Sequence, residues 1–257
     1  MTPAPSDAPE HALLRGEDVD LSARSGAVGG SPHLTAYLVR PDGEGPHPSV
    51  VVVHEAFGLE DVTRRQADRL ASMGDVVIAP DLFTEGGARK CLRATFQALS
   101  RGEGRAFQDI SIARQWLLDQ DDTTDEAGVI GFCMGGGFAL MCAAPGHGFT
   151  VSAVNYGQLP STPGVLAGAC PIVGSYGGRD PSFPGAAAKL DHHLTRLGVE
   201  HDVKEYPRAS HAFLNDEDTG PWFLRPVFKV FGIGPEPVSA ADAWGRIETF
   251  FAAHLRR

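Results

Sequence analysis

The chain has 257 residues, of which 42% are hydrophobic and 21% are charged, so it can bury a sizeable core. Its formal net charge of −10 argues against nucleic acid or an anionic membrane as the main partner. No apolar run approaches the length of a membrane span, and the acidic, Pro/Ala-rich residues 1–10 do not resemble a signal peptide. We therefore expect a cytoplasmic protein.

The four cysteines are scattered along the chain at Cys91, Cys133, Cys142 and Cys170. No two of them form a C-x-x-C pair, and no histidine cluster stands at the spacing of metal ligands. We expect reduced thiols, no metal and no cofactor.

Two stretches near the start of the chain alternate apolar and polar residues. They cover residues 18–25 and 33–40 and follow residues 1–15, which we expect to be a loose N-terminal segment. This alternation predicts two strands, each with one buried face, joined by a hairpin turn over residues 26–32. An antiparallel pair should therefore begin the sheet.

Beyond residue 50, continuous apolar runs alternate with stretches of helical spacing. The runs predict strands at residues 50–53, 76–79, 150–156, 170–176 and 201–206, and another that ends near Ile130. Helices are predicted at residues 61–73, 89–99, 105–119, 184–197 and 240–254, and one more directly after Gly137. This order predicts an α/β fold with a mostly parallel central sheet, helices on both faces and an antiparallel N-terminal edge. We expect a single domain over residues 1–257.

The segment Gly131-Phe132-Cys133-Met134-Gly135 has the spacing of a nucleophile elbow, with cysteine where serine usually stands. Small residues are needed two positions before and after the nucleophile because the chain turns sharply between a strand and a helix. The helix N-terminus beside the sulfur favours a thiolate and an oxyanion alike. Taken alone, the motif fits an ordinary buried cysteine about equally well.

Two further residues complete a possible triad with Cys133. A cysteine nucleophile needs a base, and the base needs an orienting group. Asp180 follows the predicted strand 170–176, and His211 follows the predicted strand 201–206. Taken alone, each is most often an ordinary turn or loop residue. Their order after the cysteine is that of α/β-hydrolases, so the three together predict nucleophilic catalysis.

The loop His54-Glu55-Ala56-Phe57-Gly58 follows the predicted strand 50–53. In this architecture such a loop supplies the second backbone N–H of an oxyanion hole. The second donor would be the backbone of Ala56, and the first that of Met134.

Together these motifs resemble the dienelactone hydrolases (carboxymethylenebutenolidases) of the α/β-hydrolase superfamily. The resemblance spans about residues 15–255 and is carried by residues 53–58, 79–83, 131–136, 177–180 and 206–213. It implies that Cys133, Asp180 and His211 form the triad. It also implies that Glu55 holds the thiol or helps to activate it when substrate arrives. The alternative for Glu55 is a loop carboxylate paired with an arginine.

Two positions depart from the family pattern. Dienelactone hydrolases bind a substrate carboxylate with two arginines, and the corresponding positions here are Glu85 and Asn215. An acidic residue near an anionic substrate would repel it, so we expect a substrate without that carboxylate. Arg89, Arg179 and Arg208 are the candidates that could substitute for the missing arginines.

Residues 216–238 form a longer connection than we expect before the last helix. They contain four aromatic residues among prolines: Trp222, Phe223, Phe228 and Phe231. An aromatic stretch directly after His211 predicts a lid or a pocket wall. Ordinary packing and a dimer contact are the alternatives.

We therefore predict a cysteine-dependent hydrolase that opens a lactone or a small carboxylic ester through a thioester acyl-enzyme. The partner is a small-molecule substrate, and the protein is expected to be a monomer or a homodimer. The alternative is a non-catalytic or weakly catalytic hydrolase-fold protein that binds a small molecule. The triad favours the enzyme, and the absence of the two arginines leaves room for the binding protein.

Overall fold

The computed structural model describes residues 16–220, 223, 225–230 and 232–256. Within these ranges the strands are β1 (Glu17–Asp20), β2 (Thr35–Val39), β3 (His47–Val53), β4 (Val76–Pro80), β5 (Thr123–Phe132), β6 (Val151–Asn155), β7 (Ile172–Gly177) and β8 (His201–Tyr206). They form one sheet in the order β1-β2-β4-β3-β5-β6-β7-β8. The strands from β3 to β8 pair with one another in parallel, whereas β2 is antiparallel to both β1 and β4. The predicted fold class is therefore confirmed.

Helices cover both faces of the sheet. They are α1 (Ser22–Val28), α2 (Asp61–Ser72), α3 (Ala88–Arg101), α4 (Arg105–Leu118), α5 (Met134–Cys142), α6 (Ala186–Leu197), α7 (Arg225–Val230) and α8 (Pro237–Leu255), and a 3-10 turn covers Pro163–Leu166. α2 and α8 bury their apolar sides in one core, and α3 to α6 contribute to the core on the opposite face. Among the helices of the described ranges, none is both long and apolar enough to cross a membrane.

The valines of β3 show how a continuous apolar run becomes a central strand. Val51 and Val53 pack into the core of α3 to α6, and Val50 and Val52 pack into the core of α2 and α8. None of the four side chains is exposed. Because successive side chains of a strand point to opposite faces, a strand covered on both faces needs an apolar residue at every position.

The N-terminal region differs from the prediction. β1 ends at Asp20, and the chain then forms α1 instead of continuing as a strand to residue 25. The Asp20 carboxylate accepts a hydrogen bond from the backbone N–H of Ser22 at 2.8 Å, and this local bond turns the chain into a helix. Gly29 ends α1 with a φ of 81°. The connection to β2 is therefore a helix and a turn, and the hairpin turn predicted over residues 26–32 was wrong.

The register of the parallel strands brings their carboxyl ends to one edge of the sheet. Phe132, the last residue of β5, lies opposite Asn155, the last residue of β6. Asn155 lies opposite Ser175 of β7, and Gly177 at the end of β7 lies opposite Tyr206 at the end of β8. Residues in the loops that follow these strands therefore share one edge, where ligands of open α/β sheets bind.

Candidate active site

Cys133 occupies the turn between β5 and α5. Its φ of 55° and ψ of −116° lie in a region that costs free energy for any residue other than glycine. A β-carbon on Gly131 would lie 1.9 Å from the carbonyl oxygen of Gly135, and one on Gly135 would lie 2.0 Å from that of Val53. Neither position can accept a side chain without a backbone shift. The glycines of the motif are thus required by close backbone contacts around a strained, half-buried cysteine.

Asp180 and His211 are joined by a hydrogen bond at the carboxyl edge of the sheet. Nδ1 of His211 lies 2.7 Å from Oδ2 of Asp180, whose side chain is 1% exposed. The other oxygen of Asp180 accepts the backbone N–H of Ser182 at 2.8 Å. Because Nδ1 faces the carboxylate, Nε2 is the nitrogen of His211 that is left to interact with Cys133.

The environment of His211 favours its charged form. Burial by itself lowers the pKa of this imidazole, but the hydrogen bond to Asp180 and the interactions with Cys133 outweigh it. The net result is a pKa raised to about 10. At neutral pH the site therefore holds a cationic imidazole between a carboxylate and a cysteine.

Tyr156 is a site residue that the sequence analysis did not identify. It follows β6 directly, is fully buried, and has a φ of 40°. Its ring centroid lies 5.0 Å from that of His211, and the ring of Phe183 lies 5.7 Å from His211. The two aromatic rings restrict the imidazole to one orientation. In the sequence, Tyr156 could have been identified by its position directly after a parallel strand, because the other site residues also follow such strands.

Two backbone N–H groups are free near the elbow. Met134 is the first residue of α5, and Ala56 lies in the turn after β3. Within the described ranges, neither N–H donates a hydrogen bond to another group of the protein. Free donors at a helix N-terminus and in the neighbouring strand–helix loop suit an oxygen that becomes negatively charged.

Glu55 is buried beside these groups, with 5% of its surface exposed. Burial raises the pKa of its carboxyl, and the charge of His211 and hydrogen bonds from Asn215 and Thr219 oppose this in part. Oε1 of Glu55 accepts a hydrogen bond from Nδ2 of Asn215 at 3.2 Å. No arginine of the described ranges forms an ion pair with Glu55, so the alternative of an arginine-paired loop carboxylate is not what the structure shows.

The two positions where the family has arginines have different surroundings. Asn215 is 3% exposed and lies against Glu55. Glu85 is half-buried and accepts the backbone N–H of His33 at 3.3 Å. Arg179 and Arg208 are exposed on the protein surface. Asn215 therefore belongs to the candidate site through its hydrogen bond to Glu55. The hydrogen bond of Glu85 instead joins it to His33, just before β2.

His54 lies near the site and uses both of its ring nitrogens in hydrogen bonds. His54 is buried; its Nδ1 donates to the carbonyl of Glu55 at 2.6 Å, and its Nε2 accepts the N–H of Leu82 at 3.1 Å. Burial lowers its pKa, so it is neutral and joins the loops after β3 and β4. In the part of the chain that the structure describes, no group of three or more His, Cys, Asp or Glu residues could hold a metal ion.

The segment after the candidate site is only partly described, since Trp222 and Phe231 lie outside the described residues. α7 packs against the loop that carries Glu55 and Ala56, because the ring centroids of Phe57 and Phe228 lie 6.2 Å apart. The backbone N–H of Gly234 donates to the carbonyl of His211 at 2.9 Å. Phe223 is 60% exposed. The segment therefore borders the candidate site at two points.

Known proteins share this fold and sequence pattern. A candidate carboxymethylenebutenolidase of Yersinia pestis is 28% identical over 238 residues, which cover 86% of this chain and 84% of the relative. A candidate dienelactone hydrolase of Klebsiella pneumoniae has the same fold, with a TM-score of 0.74, 24% identity and coverage of 93% of this chain and 99% of that one. A dienelactone hydrolase-like promiscuous phosphotriesterase from metagenomic libraries gives a TM-score of 0.75 at 25% identity, covering 93% and 98% of the two chains. The model of the dienelactone hydrolase family matches residues 34–255. The chain belongs to the dienelactone hydrolase family and is a carboxylic ester hydrolase.

Proposed function

We propose that this protein hydrolyses a lactone or a small carboxylic ester with Cys133 as the nucleophile, His211 as the proton carrier and Asp180 as the orienting group. The observation that carries the proposal is the hydrogen bond of Asp180 to a His211 that interacts in turn with Cys133. A nucleophile, a base and an orienting group in sequence are the geometric signature of covalent acyl transfer.

In the first half of the reaction the sulfur of Cys133 attacks the carbonyl carbon. The carbonyl oxygen becomes negatively charged and receives hydrogen bonds from the free backbone N–H groups of Met134 and Ala56. When the carbon–oxygen bond breaks, the imidazolium of His211 gives its proton to the departing alkoxide. A thioester remains on Cys133, and for a lactone the new hydroxyl stays on the acyl chain.

In the second half, water hydrolyses the thioester. His211, now neutral, takes a proton from the water as it attacks the thioester carbonyl. The carbon–sulfur bond breaks, the acid leaves and the thiolate–imidazolium pair is restored. Asp180 keeps Nδ1 of His211 protonated throughout, so that Nε2 faces the reacting atoms.

Two neighbouring elements complete the proposed site. Glu55 holds the sulfur of Cys133 in the resting enzyme, supported by its burial and by its electrostatic contact with His211. Residues 216–238 act as a lid or pocket wall, supported by the packing of Phe228 on Phe57 and by the bond from Gly234 to His211. The exposed aromatic and aliphatic residues of this segment suit an apolar acyl or alcohol group.

Hydrolysis of a panel of p-nitrophenyl esters by the wild type and by Cys133→Ala tests the proposal. We expect turnover by the wild type and a loss of at least about a thousand-fold in Cys133→Ala. A thioester intermediate should be trapped on Cys133 by rapid acid quench and found by mass spectrometry. If Cys133→Ala keeps its activity, Cys133 is not the nucleophile. If neither protein exceeds the buffer rate while a ligand raises the melting temperature, the protein is a binding protein.

A further inference from the structure

Gln66 is a polar residue on the buried side of α2, where it lies with Thr63 and four apolar residues. It is 5% exposed, and its Nε2 donates to Oδ1 of Asn215 at 2.9 Å. Within the described ranges, Oε1 of Gln66 has no hydrogen-bond donor. A buried amide with its oxygen unpaired destabilises a fold relative to an apolar side chain of similar size. Packing alone therefore does not account for glutamine at this position.

The bond from Gln66 sets the orientation of the Asn215 amide. Because Oδ1 of Asn215 faces Gln66, its Nδ2 faces Glu55 and donates to Oε1 of that carboxyl at 3.2 Å. The hydroxyl of Tyr156 lies 3.5 Å from the same oxygen of Glu55 and 3.3 Å from Oδ1 of Asn215. One oxygen of Glu55 thus accepts a hydrogen bond from Asn215 and shares the single proton of the Tyr156 hydroxyl with Oδ1 of Asn215.

The side chains that contact this carboxyl are neutral. Asn215 and Tyr156 carry no charge, and the charged neighbours of Glu55 are His211 and Glu60, which act on it with opposite signs. An arginine at position 215 would place a cation directly beside Glu55. The amide of Asn215 offers a hydrogen bond at the same place without that charge.

We propose that Gln66 and Asn215 are positioning residues for the reaction at Cys133: Gln66 orients the Asn215 amide, and Asn215 holds one oxygen of Glu55 so that the other is presented to the sulfur and the substrate. The inference rests on the proposed function, because it acts through Glu55 on Cys133. Gln66 itself touches no reacting atom. Its effect on turnover therefore requires an intact carboxyl at residue 55.

A double-mutant cycle measures this dependence. The four proteins are the wild type, Gln66→Met, Glu55→Gln and the double variant, assayed for kcat and KM with p-nitrophenyl acetate. Methionine keeps the length of the side chain and removes the amide. We expect Gln66→Met to lower kcat by about ten-fold with little change in KM, and by less than about two-fold when Glu55→Gln is already present.

Thermal unfolding of the same proteins separates positioning from packing. Gln66→Met removes both the unpaired Oε1 of Gln66 and the Nε2 bond to Asn215, whose Oδ1 keeps the Tyr156 hydroxyl at 3.3 Å. The two effects on stability oppose each other, so we expect a melting temperature close to that of the wild type. A residue with only a structural role would show lower stability and lower activity together. Asn215→Leu, which keeps the approximate size of the side chain and removes the N–H donors without adding a charge, should also lose activity less than additively with Glu55→Gln. It serves as the second variant if Gln66→Met does not fold.

The outcomes are distinct. Equal losses from Gln66→Met in both backgrounds, or no loss in either, would overturn the positioning role. Gln108→Met, on the exposed side of α4, is the matched control and should leave kcat unchanged. Cys133→Ala is assayed alongside: its retention of activity would overturn the proposed function itself, whatever the cycle shows.

Discussion

Nδ1 of His211 and Oδ2 of Asp180 are 2.7 Å apart, and the side chain of Asp180 is almost completely enclosed. The two residues belong to loops after neighbouring strands, β7 and β8, that are paired up to Gly177 and Tyr206. The hydrogen bond therefore depends on the register of the sheet. A carboxylate in this position can hold the imidazole in a single tautomer throughout a reaction cycle.

The first prediction concerns Asp180. Asp180→Asn should lower turnover by about three to four orders of magnitude with the fold retained, because the imidazole loses its tautomer and its orientation. Steady-state kinetics with a p-nitrophenyl ester and circular dichroism measure the two effects. Asp191 and Asp202 are matched controls, since Asp191 contacts His201 and Asp202 pairs with Arg246. A similar loss in either control, without a loss in Asp180→Asn, would show that the acid lies elsewhere.

The second prediction concerns the reactivity of the four thiols. Cys133 is partly accessible and lies beside a cationic imidazole, so it should react first with iodoacetamide. Burial raises the pKa of Cys142, and it raises the pKa of Cys170 to about 12. Cys91 is buried as well. Peptide mapping by mass spectrometry after short exposure gives the order of labelling. Faster labelling of Cys91 or Cys142, with Cys133 inert even in the presence of substrate, would contradict the assignment.

The third prediction concerns the substrate. Each charge-assisted contact from an arginine to a substrate carboxylate would be worth roughly 1.5–3 kcal/mol, and neither Glu85 nor Asn215 can make one. A neutral lactone or ester should therefore have a higher kcat/KM than a carboxylate-bearing dienelactone of similar size. The comparison uses one matched pair, the free acid and its methyl ester. A preference of ten-fold or more for the free acid, about 1.4 kcal/mol, would contradict it. Substitution of Arg89, Arg179 and Arg208 would then identify the group that binds the carboxylate.

The fourth prediction concerns stability and pH. The pKa of His211 is raised from an ordinary value of 6.5 to about 10, so the folded protein holds a proton that the unfolded chain releases above pH 6.5. The stability contributed by this residue is fully present below pH 6.5 and is lost as the pH rises towards 10. The free energy of unfolding of the wild type, relative to His211→Gln, should fall by at most about 1.4 kcal/mol per pH unit.

Urea unfolding between pH 7 and 8.5 provides the measurement. This window lies below the ordinary thiol pKa of 9.0, so the buried Cys142 and Cys170 do not yet contribute. The comparison with His211→Gln cancels the groups whose titration does not depend on His211, and the difference that remains belongs to His211 together with Cys133. Parallel pH profiles for the two proteins would mean that His211 and Cys133 together bind no additional proton on folding.

Much of this molecule follows from local sequence pattern. The uninterrupted valines of β3 predict a strand covered on both faces, and the glycines beside Cys133 predict a tight strand–helix turn. Both are local properties, so a linear sequence contains them. The error at α1 is local too: the alternation through Leu21 and Ala23 fitted a strand, but the Asp20 side chain bonds to the backbone of Ser22 and starts a helix.

The parts that the sequence did not reveal depend on contacts between distant residues. Tyr156 approaches Glu55, which is 101 residues away in the chain, and Gln66 meets Asn215 across 149 residues. No period or motif connects such pairs. The available sign was Gln66 itself, a long polar side chain among the mostly apolar buried positions of α2, and a polar residue buried in a core requires a partner. α7 was not predicted because six residues are too few to show a helical period.

The close backbone contacts around the elbow exclude side chains at its glycines, whereas the side chain of residue 133 can be replaced. A β-carbon on Gly157 would lie 2.3 Å from the backbone of Gly136, as crowded as those on Gly131 and Gly135. By contrast, Cys133→Ser replaces a single atom and disturbs no main-chain contact. For directed evolution, the side chain of residue 133 is therefore open to exchange for one of similar size. Libraries at these glycines would return misfolded protein, whatever reaction was selected.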